Sequence, residues 1–104
     1  MANYWCAFRL AADKAYRTRY EALSKAIFAL RGRNAASWTE ATYFCAFQAD
    51  VSLDEAARTL VAAIDPERDM IVVGVVGTSA VFYRGPLQQV SAFRAIFPEA
   101  RLLD

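Results

Sequence analysis

Residues 42 to 76 constrain this chain more than any other stretch. Thr42 to Ala49 (Thr-Tyr-Phe-Cys-Ala-Phe-Gln-Ala) is short, aromatic and alternating, which predicts a strand. Ser52-Leu53-Asp54-Glu55 is a capping box, with Ser at the cap and Glu three residues on. A helix is therefore expected over 52–64, and Leu53, Ala57, Leu60 and Ile64 form its inward stripe. Pro66 biases Asp65 out of the α region, so Asp65-Pro66-Glu67-Arg68-Asp69 reads as a corner. Met70 to Val76 is rich in β-branched residues and fits a buried strand. This β-α-β block points to a fold and not to a reaction.

The flanks extend the pattern. Tyr4 to Leu10 predicts a first strand, with Tyr4, Cys6 and Phe8 on one face and Trp5, Ala7 and Arg9 on the other. Asp13 is placed to cap a helix whose stripe is Tyr16, Tyr20, Leu23, Ile27 and Leu30, stopped by Gly32. Phe28 lies off that stripe and asks for some further cover. Asn34 to Trp38 predicts a short strand. Gly77-Thr78-Ser79 reads as a turn and Ala80 to Arg84 as another short strand. Pro86 is placed in the first turn of a last helix with the stripe Leu87, Val90, Phe93 and Phe97, ended by Pro98. Tyr4-Trp5-Cys6-Ala7-Phe8 is echoed by Tyr43-Phe44-Cys45-Ala46-Phe47. Two central strands selected for aromatic and small residues explain this more simply than a duplicated half.

The order β-α-β-β-α-β with right-handed crossovers gives an α+β fold, a ferredoxin-like four-stranded antiparallel sheet with both helices on one face. A short extra strand and a C-terminal helix are appended. The first and third strands would be central, and Cys6 and Cys45 would face the helices as small core residues. One domain spans 1–104, with its core at about 4–84 and an extension at 85–104. A chain of 104 residues with a hydrophobic fraction of 57% is large enough to bury a core of its own.

Charge and missing residue types narrow the chemistry. Net charge is +1, so there is no global attraction to nucleic acid or membrane. Its distribution is uneven. Residues 1–33 hold seven bases against two acids, a net of +5, and residues 40–69 hold two bases against seven acids, a net of −5. There is no histidine, which excludes a Ser-His-Asp triad, a Cys-His pair and imidazole-ligated metals. The two cysteines have no metal spacing. No cofactor is implied. The apolar N-terminal run is short and strand-like, so no signal peptide is expected, and no apolar stretch is long enough to span a bilayer. A cytoplasmic protein with reduced thiols is the expectation.

The block Thr42 to Val76, the run Tyr-Arg-Thr-Arg-Tyr-Glu-Ala-Leu at Tyr16 to Leu23, and Ser37-Trp38 with Thr42 resemble a known family. They look like the small CRISPR-associated adaptation proteins of the Cas-two type, and closer still to their stand-alone SinR-like relatives. The resemblance covers roughly residues 4–84. It implies the ferredoxin-like fold and, for some members, a metal-dependent nuclease whose aspartate ends strand one on a homodimer axis. The matching position here, within Phe8-Arg9-Leu10, is Arg9, and a cation cannot ligate magnesium. Asp13 lies four residues too far along. No catalytic or metal-binding residue is therefore assigned.

Three functional readings remain. The first is a homodimeric interaction module whose face carries Trp5, Ala7, Phe44 and Ala46, because an open apolar sheet face finds a partner. Its counterpart is a monomer in which the C-terminal helix folds over that face. The second is nucleic-acid binding without cleavage, through Arg9, Lys14, Arg17, Arg19 and Lys25. The third is a small-molecule enzyme, for which Tyr83-Arg84-Gly85 offers an anion contact.

Overall fold

The computed structural model describes residues 1–32 and 35–104. In chain order the elements are β1 (Ala2–Arg9), α1 (Tyr16–Leu30), β2 (Ser37–Trp38), β3 (Phe44–Ala49), α2 (Leu53–Val61), β4 (Met70–Val75), β5 (Val81–Arg84), α3 (Val90–Ile96) and β6 (Arg101–Leu102). The strands form one sheet in the order β2-β3-β1-β4-β5-β6. Every pairing is antiparallel except β5–β6, which is parallel. The protein is thus a mixed α/β structure with three helices and a six-stranded open sheet among the described residues.

The appended strand β5, which the sequence predicts at Ala80 to Arg84, and β6, which it does not, change the centre of the sheet. β1 still lies against β3, with Cys6 opposite Cys45. The two middle positions belong to β1 and β4, because β5 and β6 extend the sheet on the β4 side. β6 is only two residues long, too short for any alternation to announce it. The residue after it, Leu103, is 3% exposed and belongs to the main core, and its N–H donates to the Tyr83 carbonyl at 2.9 Å. The C-terminal extension therefore rejoins the core.

One sheet face holds that core. Tyr4, Cys6 and Phe8 of β1, Cys45 and Phe47 of β3, and Ile71 and Val73 of β4 meet Leu23 and Ile27 of α1 and Ala56, Ala57 and Leu60 of α2. The alternation of each strand puts these residues on one side. α2 is held at its start as the capping box predicts: Ser52 Oγ accepts from the Glu55 N–H at 3.1 Å. Small alanines at its buried positions let the helix sit close to the sheet.

Several boundaries differ from the expectation. α1 begins at Tyr16, and Asp13 is not its cap; Asp13 Oδ1 accepts from the Ala15 N–H at 2.9 Å in the preceding turn. α1 ends at Leu30, and Arg31 turns extended and bridges to Ala49, so it is β-pairing and not Gly32 that stops the helix. β2 is confined to Ser37–Trp38; the Asn34 end of the expected strand lies outside the described residues. α3 starts at Val90 and not at Pro86. Gly85 adopts φ 98°, and a Cβ there would collide with the Asp69 carbonyl, so the chain turns sharply before any helix can begin. Leu87 falls ahead of the helix and Val90 is exposed. Among the described residues no element covers Phe28, which is 66% exposed, with the Arg31 guanidinium 4.2 Å from its ring centre.

Candidate functional site

The face opposite the core is lined by the other half of each alternation. Trp5 and Ala7 of β1 stand opposite Ala46 and Phe44 of β3, and Trp38 of β2 stands opposite Ala46. On the far side Trp5 stands opposite Gly74 of β4. A Cβ at Gly74 would lie 2.5 Å from the Trp5 indole, so the glycine is what lets the ring lie down on the sheet.

These side chains continue into α3 as one aromatic row. Trp38 meets Phe44 edge-on at 6.1 Å, and Phe44 stacks on Trp5 at 6.1 Å and 11°. Trp5 meets Phe97 at 6.0 Å, Phe97 meets Phe93 at 5.1 Å, and Phe93 meets Tyr83 of β5 at 5.2 Å. Spacings of this size are favourable for aromatic pairs. The row has a covered half and an open half. α3 lies over Trp5, Met70 and Tyr83, whereas Trp38 is 48% exposed and Phe44 36%. Asn3, Gln48 and Val76 continue the open half, and the Gln48 amide N–H donates to Asn3 Oδ1 at 3.1 Å.

The sequence places Trp5, Ala7, Phe44 and Ala46 on one open face. The structure brings all four together but closes part of that face: Phe97, at the C-terminal end of α3, covers Trp5. It also adds Trp38, which the sequence reading put on a strand without assigning it a role. Its signal is the apolar Ala46 directly opposite it on the neighbouring strand, visible only once the β2–β3 register is known.

The five basic residues do not form one site. Arg9 lies opposite Met70 on the α3 side, and its Nη2 donates to the Pro86 carbonyl at 2.8 Å, pinning the loop ahead of α3. Arg19 turns inward. Its Nε donates to Asp69 Oδ2 at 2.7 Å, and its Nη2 donates to Asp69 Oδ1 at 3.2 Å and to Asp13 Oδ2 at 3.1 Å. Asp69 is fully buried and also accepts from the Ala11 and Asp65 N–H groups at 2.7 and 2.9 Å. Arg68 Nη1 closes the set on Asp13 Oδ2 at 2.7 Å. The hydrogen bond from Arg19, with help from the Ala15 N–H and the charges of Arg19 and Arg68, holds the Asp13 carboxyl below its ordinary range. The same carboxylates hold the Arg19 guanidinium charged. This network ties the β1–α1 loop to the corner before β4, so Arg19 is structural and not a surface contact. Lys14, Arg17 and Lys25 are exposed.

Arg84, weighed as part of an anion contact, instead donates from Nη1 to the Leu103 carbonyl at 2.8 Å. No helix among the described residues is long and apolar enough to cross a membrane.

A scan against protein-family models, a search of curated proteins and a search of solved structures each find no match for this chain.

Proposed function

We propose that this protein is a non-catalytic homodimeric interaction module on a ferredoxin-like βαββαβ core, in the manner of the Cas-two-like and SinR-like proteins it resembles. The run β2-β3-β1-β4, with α1 and α2 on one face, fits such a core, and β5, α3 and β6 extend it. The observation that carries the reading is the half-open aromatic row: Trp38 and Phe44 stand exposed at one end of a surface whose other end the chain's own α3 covers. β2, next to them, is a two-residue edge strand. A second copy related by a two-fold axis presents the same aromatic surface to it and satisfies both. At its edge Glu40 accepts from the Trp38 indole N–H at 3.1 Å. Light scattering at tens of micromolar tests the reading. A dimer that Trp38→Glu converts to monomer supports it, and a monomeric native protein overturns it.

A metal-dependent nuclease is not supported. The end of β1, where the resemblance would put an aspartate, carries Arg9 with its guanidinium on the Pro86 carbonyl. These residues do not fit a magnesium ion.

Non-cleaving nucleic-acid binding is the second reading. What favours it is the exposure of Lys14, Arg17 and Lys25 on or beside α1. Binding of labelled RNA or DNA that weakens with salt and with Arg17→Ala and Lys25→Ala supports it. Absent or salt-insensitive binding removes it.

A further inference from the structure

A cavity of about 290 Å³ opens between α1 and the β2–β3 edge, on the core side of the sheet. Phe8, Leu23, Ile27, Phe28, Phe44 and Cys45 contribute to its lining, and the exposure of Phe28 marks its mouth. Cys45 reaches it, 3% exposed; Cys6, directly opposite across the β1–β3 ladder, is 0% exposed and is not part of the lining. Both thiols are free.

The ladder fixes how these thiols stand. The Phe8 N–H donates to the Tyr43 carbonyl at 3.0 Å, and the hydrogen-bonded pairs alternate from there, so Cys6 and Cys45 form such a pair. Cα atoms in these pairs are about 5.5 Å apart, inside the range a disulfide spans. Opposed Cβ atoms in a hydrogen-bonded pair lie toward the wide end of about 4.5–5.5 Å, beyond the about 3.5–4.5 Å of a relaxed disulfide, so the bond closes only with strain and a local backbone shift and is easily reduced. The two thiols face each other across the ladder, and their mutual contact pushes the Cys45 thiol down and, together with burial, the Cys6 thiol up.

We infer that Cys45 and Cys6 form a thiol–disulfide exchange site, entered through this cavity by small uncharged apolar disulfides. Cys45 loses its proton and its Sγ attacks one sulfur of the entering RSSR. That S–S bond breaks, and one RS⁻ leaves with the electron pair and takes up the proton. Cys6 then loses its proton and attacks Cys45 Sγ, and the second RS⁻ leaves and is protonated. The balance is one RSSR reduced by two electrons to two RSH, and one Cys6–Cys45 disulfide formed. The order is set by access: only Cys45 meets the cavity, and only Cys6 lies within reach to resolve the mixed disulfide. The exchange chemistry does not depend on the dimer reading, since both thiols lie on the core side of the sheet, although Phe44 borders the cavity as well as the aromatic row.

The test uses 4,4′-dithiodipyridine, an aromatic disulfide whose thiopyridone product absorbs light. The folded native chain is expected to release two thiopyridones, keep no adduct and lose the mass of two hydrogens. Proteolysis in acid then yields the Cys6 and Cys45 peptides joined. Cys6→Ala is expected to release one thiopyridone and keep one adduct on Cys45, while Cys45→Ala reacts at least tenfold more slowly than native. The proposal is overturned if the native chain retains two adducts, if it does not react until denatured, or if Cys45→Ala reacts at the native rate. The peptide map of the native chain alone decides the matter should either variant fail to fold.

Discussion

The two faces of this sheet are built from the same alternating strands and end up differently. On one face α1 and α2, of 15 and 9 residues, cover β1, β3 and β4 and leave a core whose central residues, Cys6, Leu23, Leu60 and Ile71, are at most 1% exposed. On the other, α3 has 7 residues and none of them is buried. It reaches Trp5 and Tyr83 and stops, so Phe44 and Trp38 remain in water. Alternation supplies an apolar surface on both sides of a strand, but it does not supply the cover. Whether a face becomes core or stays open to water depends on how much helix the chain brings to it.

The contrast predicts an order of effects. The core side and its supporting charge network should be the most sensitive. Asp69→Ala strips the internal partner from Arg19 and from the Ala11 and Asp65 N–H groups. Breaking a buried pair in this way costs about 3–5 kcal/mol. Leu60→Ala removes a fully buried side chain of α2 from the main core, at about 2–5 kcal/mol. Urea midpoints measure both; losses under 1 kcal/mol would mean that this face is looser than its burial indicates.

Covering by α3 should matter less. Phe93→Ala removes a half-buried ring that touches Tyr83 and Phe97, and we expect about 1–2 kcal/mol, below the range for fully buried Phe. A loss as large as that for Leu60 would erase the distinction between the faces. At the open end, Trp38→Ala should leave monomer stability within about 0.5 kcal/mol, because its ring is half in water. Concentration-dependent melting should nonetheless disappear in this variant, since association stabilises only the folded native chain.

Acid offers a finer probe of the network. The Asp13 carboxyl titrates lower in the folded than in the unfolded chain, so its contribution is present above the unfolded value of about 3.9 and is lost as pH falls through the folded value. The urea midpoints of native protein and Asp13→Asn should therefore differ at neutral pH and converge from about pH 5 downward. Parallel curves across that range would show that Asp13 does not act through its charge.

Much of this fold is legible in the residues because its signals are local. The capping box at Ser52 to Glu55, the apolar run after Asp69 and the face assignment of Cys6 and Cys45 each depend on spacing within a few positions. The echo of Tyr4 to Phe8 in Tyr43 to Phe47 acquires a geometric meaning: the two runs pair, Trp5 stacks on Phe44, and Cys6 faces Cys45. What was hidden depends on long-range partners. Arg19 looks like any surface base of a helix until Asp69, 50 residues on, is folded under it. Arg9 is spoken for by a carbonyl 77 residues away. β6 has no period to detect, and Trp38 gains its place only from the register of a two-residue strand.

The proposed interface between two copies lies at the open aromatic end. Light scattering of the native chain and of Trp38→Glu at tens of micromolar measures it directly. The account predicts twice the chain mass of 11.6 kDa for the native protein and a single chain mass for the variant. A native protein of single chain mass at that concentration, or a variant that stays dimeric, would contradict it.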